Sequence, residues 1–504
     1  MKTASKETTT MSQSPTLRTP AFRTPAFRAA LSAMALCPSL FAQAPLFKEV
    51  PAPASQRESA ENPFAKRENY VNIDWKNLGL NTRTPEGIPS ILNLNLFGDA
   101  QYFAERVKMN WVGPGKFDWI GQIGEDDVIL AVRDGNMVGS IQKGEHVFEI
   151  RSIDGVTHQI TESNQQLFSQ MDLSIANDLI PESGEEDKIA AKMPARIPPA
   201  ANGPKTIIDV MVYYNQGVAS KNPNMEAYLA SLIALSNRSY ERSLVPQEIR
   251  LVYHAPADKC NSANANTCNN TDPDVVAARK KYGADITGFI YDGSASYCGV
   301  SNGNCCMTAI YSCALSNKSF PHEFGHNMGA GHDIAQNNTP GISHGWIDPG
   351  KKWRTIMAYP CSGGNCPRID NFSNPQVQNN GVATGDAGTA DNARTMRERM
   401  ASVAARQPTQ LPVGINGRTI VDPPAAFFIA RLTNGSLDLK VNRAENLEVN
   451  LLSLTGKKTR LAKGTYPAGT HTITWNAGTL RPGVHVLHIR GARTQKIQML
   501  TIMR

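Results

Sequence analysis

The sequence predicts a chain in three parts: a central α/β (α+β) domain with a twisted mixed sheet and an irregular lower half, a β-rich region before it, and a small β-sandwich after it. Three observations carry that prediction. Strand-like runs alternate with helical spacing between residues 205 and 407, whereas residues 45–181 and 426–504 carry strand alternation and turn residues alone. Two stretches dense in proline and glycine, 182–204 and 408–425, fall between these regions and read as linkers. Eight of the nine cysteines lie between residues 260 and 366, inside the central part. A length of 504 residues accommodates about three domains.

Residues 1–44 read as an export signal. Arg18, Arg23 and Arg28 supply positive charge, and the run from Ala29 to Leu36 is a short apolar core. Ala42-Gln-Ala44 offers a small-x-small cleavage site, although Pro45 disfavours cutting directly after it. The stretch before the core is long and repeats Arg-Thr-Pro-Ala-Phe, so a later start at Met11 also fits. Cys37 follows the bulky Leu36, which suits a residue lost on processing better than a lipidated cysteine. The expected location is outside the cell or on its surface.

Residues 45–181 carry strand-like runs in Ile91–Phe97, Val128–Val132 and Val147–Ile150, with Gly135 and Gly155 at turns. The linker 182–204 runs from an acidic Glu182–Asp187 to Ile197-Pro-Pro-Ala-Ala-Asn-Gly-Pro204, and Lys192 and Arg196 are candidate processing sites. In the central part, Ile207–Tyr214, Glu248–Tyr253 and Ile286–Tyr291 read as strands, and Met225–Leu244 as a helix. Asp391 is placed to cap a last helix bearing Met396, Met400 and Val403 on one face. The eight clustered cysteines of an exported chain imply four disulfides, with Cys260–Cys268 and Cys361–Cys366 as local pairs and the other partners open.

Residues 322–332, His-Glu-Phe-Gly-His-Asn-Met-Gly-Ala-Gly-His, hold three of the ten histidines. On a helix His322 and His326 stand one turn apart on the same face, and both imidazoles reach one zinc ion at about 2.0–2.1 Å. Gly329 lets the helix stop in a left-handed conformation, and the returning chain presents His332 as the third ligand. A fourth position left to water marks a catalytic rather than a structural zinc site. Glu323 then stands beside that position. Histidines on an ordinary surface helix are the plain alternative, which the glycine and third histidine at fixed offsets make a poor account.

At this point the chain resembles the metzincin zinc endopeptidases. Glu323–Asp333 is similar to the adamalysin/reprolysin-like branch, particularly its bacterial secreted members. The likeness continues through His344-Gly-Trp-Ile-Asp-Pro-Gly350, Phe372-Ser-Asn-Pro375 and Asp391-Asn-Ala-Arg394, over roughly residues 205–407. The resemblance implies that Met357, in Arg354-Thr-Ile-Met-Ala-Tyr359, forms an apolar floor under the histidines. Tyr359 departs from the branch. It stands two residues after Met357, as in the astacin and serralysin branches, which makes it a candidate fifth zinc ligand or else a buried or rim tyrosine. The implied activity is hydrolysis of peptide bonds in proteins by a zinc-activated water, with Glu323 as general base. Substrate is expected to lie extended along an edge strand, with Met307–Ser312 the candidate. Its side-chain pocket is expected to be walled near residues 354–362, with His344 and Trp346 as lining or as packed loop residues.

The β-rich region is similar to reprolysin-type propeptides. It holds no cysteine, so a thiolate–zinc latch is excluded and blocking falls to steric cover or an oxygen or nitrogen ligand; a permanent β-domain is the other reading. In the last region, Leu452–Lys458, Gly469–Trp475 and Lys496–Arg504, with turns at Thr455-Gly456, Pro467-Ala-Gly469 and Pro482-Gly483, resemble type IX secretion sorting domains. That resemblance implies a partner in the secretion machinery, and a carbohydrate- or protein-binding sandwich is the alternative. Related domains also carry structural Ca2+, for which this sequence has no contiguous loop. A net charge of +7 over this length, with no basic run, argues against nucleic acid, and no run of eighteen apolar residues spans a bilayer. A secreted adhesion or binding protein with a vestigial metallopeptidase domain is the second function class, and the intact Glu323 counts against it.

Overall fold

The computed structural model describes residues 44–54, 62–168, 205–257, 272–293, 297–303, 305–336, 338–362, 366–410, 418–421, 427–441, 443–453, 457–491 and 495–502. The expected export signal, the linker with Lys192 and Arg196, the Cys260–Cys268 pair and the Thr455-Gly456 turn lie outside these residues. One compact unit spans Gln43–Asp422, and a second takes in Pro423–Arg504.

The alternating N-terminal sequence folds into strands β1 (Phe47–Glu49), β2 (Ala65–Ile73), β3 (Ile91–Phe97), β4 (Ala100–Gly113), β5 (Lys116–Ile123), β6 (Asp126–Arg133), β7 (Asn136–Lys143), β8 (His146–Ser152) and β9 (Thr157–Ser163). They pair in the order β1-β2-β9-β8-β7-β6-β5-β4, largely a meander, with β3 also on β4. Between β6 and β7 the Arg133–Asn136 pair closes a two-residue turn. Its residues Asp134 (φ 48°) and Gly135 (φ 81°) are both left-handed, the geometry that matches strand twist.

These two central strands are buried on both faces. Val128, Leu130, Val132, Met137 and Ile141 face the sheet's own core, while Ile129 and Val138 belong to the core of the following region. Two reading frames of one strand therefore serve two cores.

Two groups near the end of this sheet tie its stability to pH. His158 accepts the Met137 N–H through Nε2 at 3.1 Å and donates through Nδ1 to the Val156 carbonyl at 3.2 Å, and burial pushes it down to about 4. Burial alone would raise the Glu162 carboxyl, but hydrogen bonds from His146, Lys66 and Arg67 outweigh it and hold the group at about 2. Both folded values lie below their ordinary values of 6.5 and 4.5. Each therefore contributes stability at neutral pH that is lost on acidification, His158 first and Glu162 afterwards. Melting temperatures of the full chain should fall as pH is lowered from 6.5 to 4, and Glu162→Gln should flatten the further fall at lower pH. A level profile would contradict this account.

The central region follows the expected alternation. Strands β10 (Thr206–Tyr214), β11 (Gln247–Pro256), β12 (Ile286–Tyr291), β13 (Gly299–Ser301) and β14 (Cys306–Ile310) form a sheet in the order β11-β10-β12-β14-β13. Only β13 runs antiparallel to its neighbour. Helix α1 (Met225–Arg242) begins where the Asn224 side chain accepts the Ala227 N–H, and α2 (Pro273–Tyr282) ends at Gly283 with φ 66°. Helix α3 (Ser319–Asn327) packs under the sheet, and α4 (Asn392–Val403) is capped by Asp391, which accepts the Arg394 N–H. Val210, Val212, Leu232, Leu235, Phe320, Phe324, Met357 and Phe372 fill the space between sheet and helices.

The expected substrate strand is corrected by this pairing. β14, which takes up Met307 of the expected Met307–Ser312 strand, is bonded on one side to β12 and on the other to β13, and a helical turn at Tyr311–Ala314 follows it. An interior strand has no free pairing groups, so β13 is the edge.

Beyond a short hairpin of β15 (Gln378–Asn379) and β16 (Val382–Ala383), strand β17 (Arg418–Val421) pairs antiparallel with β4. The second unit contains β18 (Phe427–Leu432), β19 (Ser436–Val441), β20 (Glu445–Ser453), β21 (Lys458–Tyr466), β22 (Gly469–Thr474), β23 (Gly483–Arg490) and β24 (Gln495–Ile502). Its two sheets, β18-β19-β22 and β21-β20-β23-β24, share a core of Phe427, Leu437, Leu439, Val449, Leu451, Leu487 and Ile489.

Candidate metal centre

Helix α3 supplies the first two histidines. It starts after Lys318, a residue at φ 55° whose buried ammonium meets the Asp370 carboxylate at 2.8 Å. It ends where Ala330 N–H donates to the Gly325 carbonyl at 2.9 Å and Gly329 turns at φ 82°. The chain then returns and brings His332 to the same place. Each of the three histidines offers a ring nitrogen within 4.8 Å of the others, and all three side chains are buried. Among the described residues no second cluster of this kind is found.

The orientation of the rings is fixed from behind. His322 Nδ1 donates to the Ile356 carbonyl at 2.8 Å and His326 Nδ1 to the Ala330 carbonyl at 2.9 Å. A hydrogen held on Nδ1 leaves the Nε2 lone pair for a metal, the usual arrangement behind ligating histidines. Three convergent, buried imidazoles are a donor set that a divalent transition ion fits.

The return loop is clamped from several sides. Asn392, the first residue of α4, accepts the Gly331 N–H at 3.0 Å and donates to the Gly331 carbonyl at 2.9 Å. Asp333 accepts the Tyr359 N–H at 2.8 Å, joining the third-histidine loop to the turn that carries Met357. His344 lies between the His332 and Thr339 carbonyls, at 3.0 and 2.9 Å, so it braces the loop rather than lining a pocket.

Met357 is the residue expected as an apolar floor. It is fully buried, and a β-carbon on Gly325 would come within 2.5 Å of its sulfur, so the methionine lies against α3 between the two helical histidines. Tyr359 is also buried, and its ring meets that of His332 edge-on, with centroids 4.6 Å apart. Arg354, the start of the expected pocket wall, is folded inward. Its guanidinium donates to the Ala358 and Cys366 carbonyls, across a loop closed by the Cys361–Cys366 disulfide. Trp346 is half-buried, its backbone N–H donating to the Thr355 hydroxyl.

Glu323 stands on α3 under the edge strand. A β-carbon on Gly299, the first residue of β13, would lie 2.2 Å from Glu323 Oε1 and 2.7 Å from its Cγ. The strand can therefore lie against this carboxylate only because residue 299 has no side chain. Burial and the nearby Glu323 carboxylate both push the Tyr297 hydroxyl upward. The second disulfide among the described residues, Cys298–Cys313, fastens the start of β13 to the turn that leads into α3. Cys305 and Cys306 lie adjacent with their sulfurs 2.7 Å apart. Of the four expected disulfides, the described residues thus hold two.

Sequence reasoning singled out the histidines, which the structure brings together, and Glu323, Met357 and Tyr359 as expected site residues. It missed Gly299, whose short strand carries no alternation, and Asn392, whose role depends on a loop sixty-one residues earlier in the chain.

Residues 205–373 match the model of Reprolysin_5, metallo-peptidase family M12. The chain is 32% identical over 342 residues to a peptidyl-Asp metalloendopeptidase of Stenotrophomonas maltophilia, a match covering 60% of this chain and 80% of the relative. It is 30% identical over 296 residues to a peptidyl-Asp metalloendopeptidase of Xanthomonas campestris pv. campestris, covering 55% and 69%. A protein of the same name from Pseudomonas aeruginosa is 28% identical over 268 residues, covering 45% and 44%.

Proposed function

Because the chain belongs to the M12 metallopeptidase family and is a metalloendopeptidase, we propose that it is a secreted zinc endopeptidase in which His322, His326 and His332 hold the ion and Glu323 is the general base. The observation that carries this reading is the placement of Glu323. It shares one helix with two of the three convergent imidazoles and lies directly under the edge strand β13.

Zinc bound by three imidazoles supplies a Lewis acid for the substrate carbonyl and lowers the pKa of its water to about 7. The chain's own residues do the rest. An extended peptide adds to β13 through backbone hydrogen bonds, which brings its scissile bond over α3. The Glu323 carboxylate takes a proton from the attacking water and delivers it to the departing amide nitrogen. Ile356 and Ala330 carbonyls keep the two helical imidazoles aimed, and Met357 prevents α3 from settling. Substituting Gly299→Ala should push the carboxylate off its position and lower kcat by about 10²-fold, with KM and bound metal little changed. Activity equal to wild type would show that the close approach is not needed.

Tyr359 has a place beside His332 that suits either a fifth ligand or a donor to the substrate oxygen. Tyr359→Phe should retain metal and lose about 10²-fold or more in kcat if the hydroxyl stabilises developing charge. An unchanged kcat would reduce Tyr359 to a packing residue.

The relatives' names suggest action at aspartyl residues, and we extend that substrate class to this chain. The test is digestion of a peptide library by the purified full chain, with cut sites read by mass spectrometry. Cuts clustered at aspartate support the extension, scattered cuts refute it, and absence of cutting would favour the adhesion reading. We further assign residues 1–44 to export, the N-terminal sheet to a propeptide and the C-terminal unit to secretion-sorting. No helix among the described residues is long and apolar enough to cross a membrane, and two disulfides among them suit an oxidising compartment. N-terminal sequencing of exported protein tests the propeptide assignment: a start near residue 205 supports it, and a start near residue 45 opposes it.

A further inference from the structure

We propose that the N-terminal sheet is a lasting subunit of the enzyme: when the chain is cut between Phe168 and Lys205, the sheet stays docked on the metal-binding half as a non-covalent partner. This rests on the reading that processing occurs in that interval. A propeptide is ordinarily expected to leave. Four features argue that this one is held.

The two halves share one core. Ile129 of β6 and Val138 of β7 are 1% and 2% exposed and pack in the same apolar cluster as Leu232 and Leu235 of α1. Taking the sheet away would return that helix face to water, and apolar burial is the largest favourable contribution to such an association.

Charged groups at the interface match in detail. Asp127 of β6, whose side chain is 1% exposed, meets Arg238 at 3.0 Å and Arg242 at 3.3 Å, both on α1. Glu226 at the start of α1 meets Arg133 at 3.3 Å and Lys116 at 3.1 Å. Buried pairs add little net affinity because their desolvation offsets their attraction, but they reject a misaligned arrangement.

Further hydrogen bonds fasten the periphery. Gln142 donates to the Arg368 carbonyl at 3.2 Å, and Asn380 N–H donates to Glu125 at 2.6 Å. The Ser316 hydroxyl donates to Glu149.

The fourth feature is topological. β17 follows α4 and therefore belongs to the fragment on the far side of the cut, yet it completes the edge of the N-terminal sheet. Arg418 pairs with Trp111, Thr419 with Asn110, Ile420 with Met109 and Val421 with Lys108. After cleavage a strand from one fragment remains within the sheet of the other. Release then requires peeling a β-ladder as well as opening a core.

The experiment places a recognition site for a sequence-specific protease between Phe168 and Lys205 of the full chain and cuts it under native conditions. Size-exclusion chromatography and native mass spectrometry at 0.15 M and 1 M salt read the products. The expected result is one particle whose mass is the sum of both fragments, at both salt concentrations. Separation of the N-terminal fragment in native buffer overturns the proposal. A second form carrying Thr419→Pro and Ile420→Pro, which cannot complete the β4 pairing, should release the N-terminal fragment at least tenfold faster on dilution. An unchanged release rate would overturn the contribution of β17. The processing reading fails separately: exported protein that starts near residue 45 refutes it, while the engineered cut still reports on docking.

Discussion

Glu323→Gln should lower peptide hydrolysis by about 10²–10⁴-fold while metal content stays that of the wild type. Glutamine has nearly the shape of glutamate, so it fits the space that Gly299 leaves, where even one added carbon would collide. Glu323 is 1% exposed and is not one of the three converging nitrogens. The substitution therefore removes a proton acceptor without disturbing ligands or packing. The checks are kcat on a peptide substrate and metal stoichiometry by elemental analysis. Equal hydrolysis by both proteins would end the assignment of Glu323 as base. An inactive wild type that retains metal would instead favour the vestigial, adhesive alternative.

Removing the metal should have a larger effect, because it acts on both activity and stability. Exhaustive chelation should abolish hydrolysis, and added zinc should restore it. Three buried imidazoles aimed at one point gain a common partner from the ion, which binds the folded chain far better than the unfolded one. At a thousandfold excess over its Kd such a ligand stabilises by about 4 kcal/mol. For a domain of this size that corresponds to a fall in melting temperature on the order of 10 °C after chelation. His326→Ala should reproduce both losses, and zinc should not rescue it. Activity that survives chelation, with no change in melting temperature, would refute a metal-dependent mechanism.

What could be read from sequence alone follows from how local each feature is. The histidine trio was legible because its geometry is set within eleven residues by a helical turn and one glycine. The strands Ile91–Phe97 and Ile286–Tyr291 were legible from their composition and bounds, and Asp391 from its capping position. The edge strand was misplaced because β13 is only three residues long, Gly-Val-Ser, and shows no alternation, whereas the apolar Met307 segment looks like a strand on any scale. The docking of the N-terminal sheet was illegible for a different reason. The unbroken apolar run Val128–Val132 marks a strand covered on both faces, and Ile129 and Val138 occupy the second face. Nothing local says which distant segment covers that face. Cys298–Cys313 was hidden similarly, since eight cysteines admit many pairings.

The clamp between Asn392 and Gly331 bears on how small a working enzyme can be. The family match ends at residue 373, which invites trimming there. A fragment so trimmed would lack the amide that both gives and takes a hydrogen bond at the glycine preceding His332. Its third histidine would then sit on a slack tether. A trimmed chain meant to keep the His332 loop in place should therefore retain Asn392 and the helix it opens.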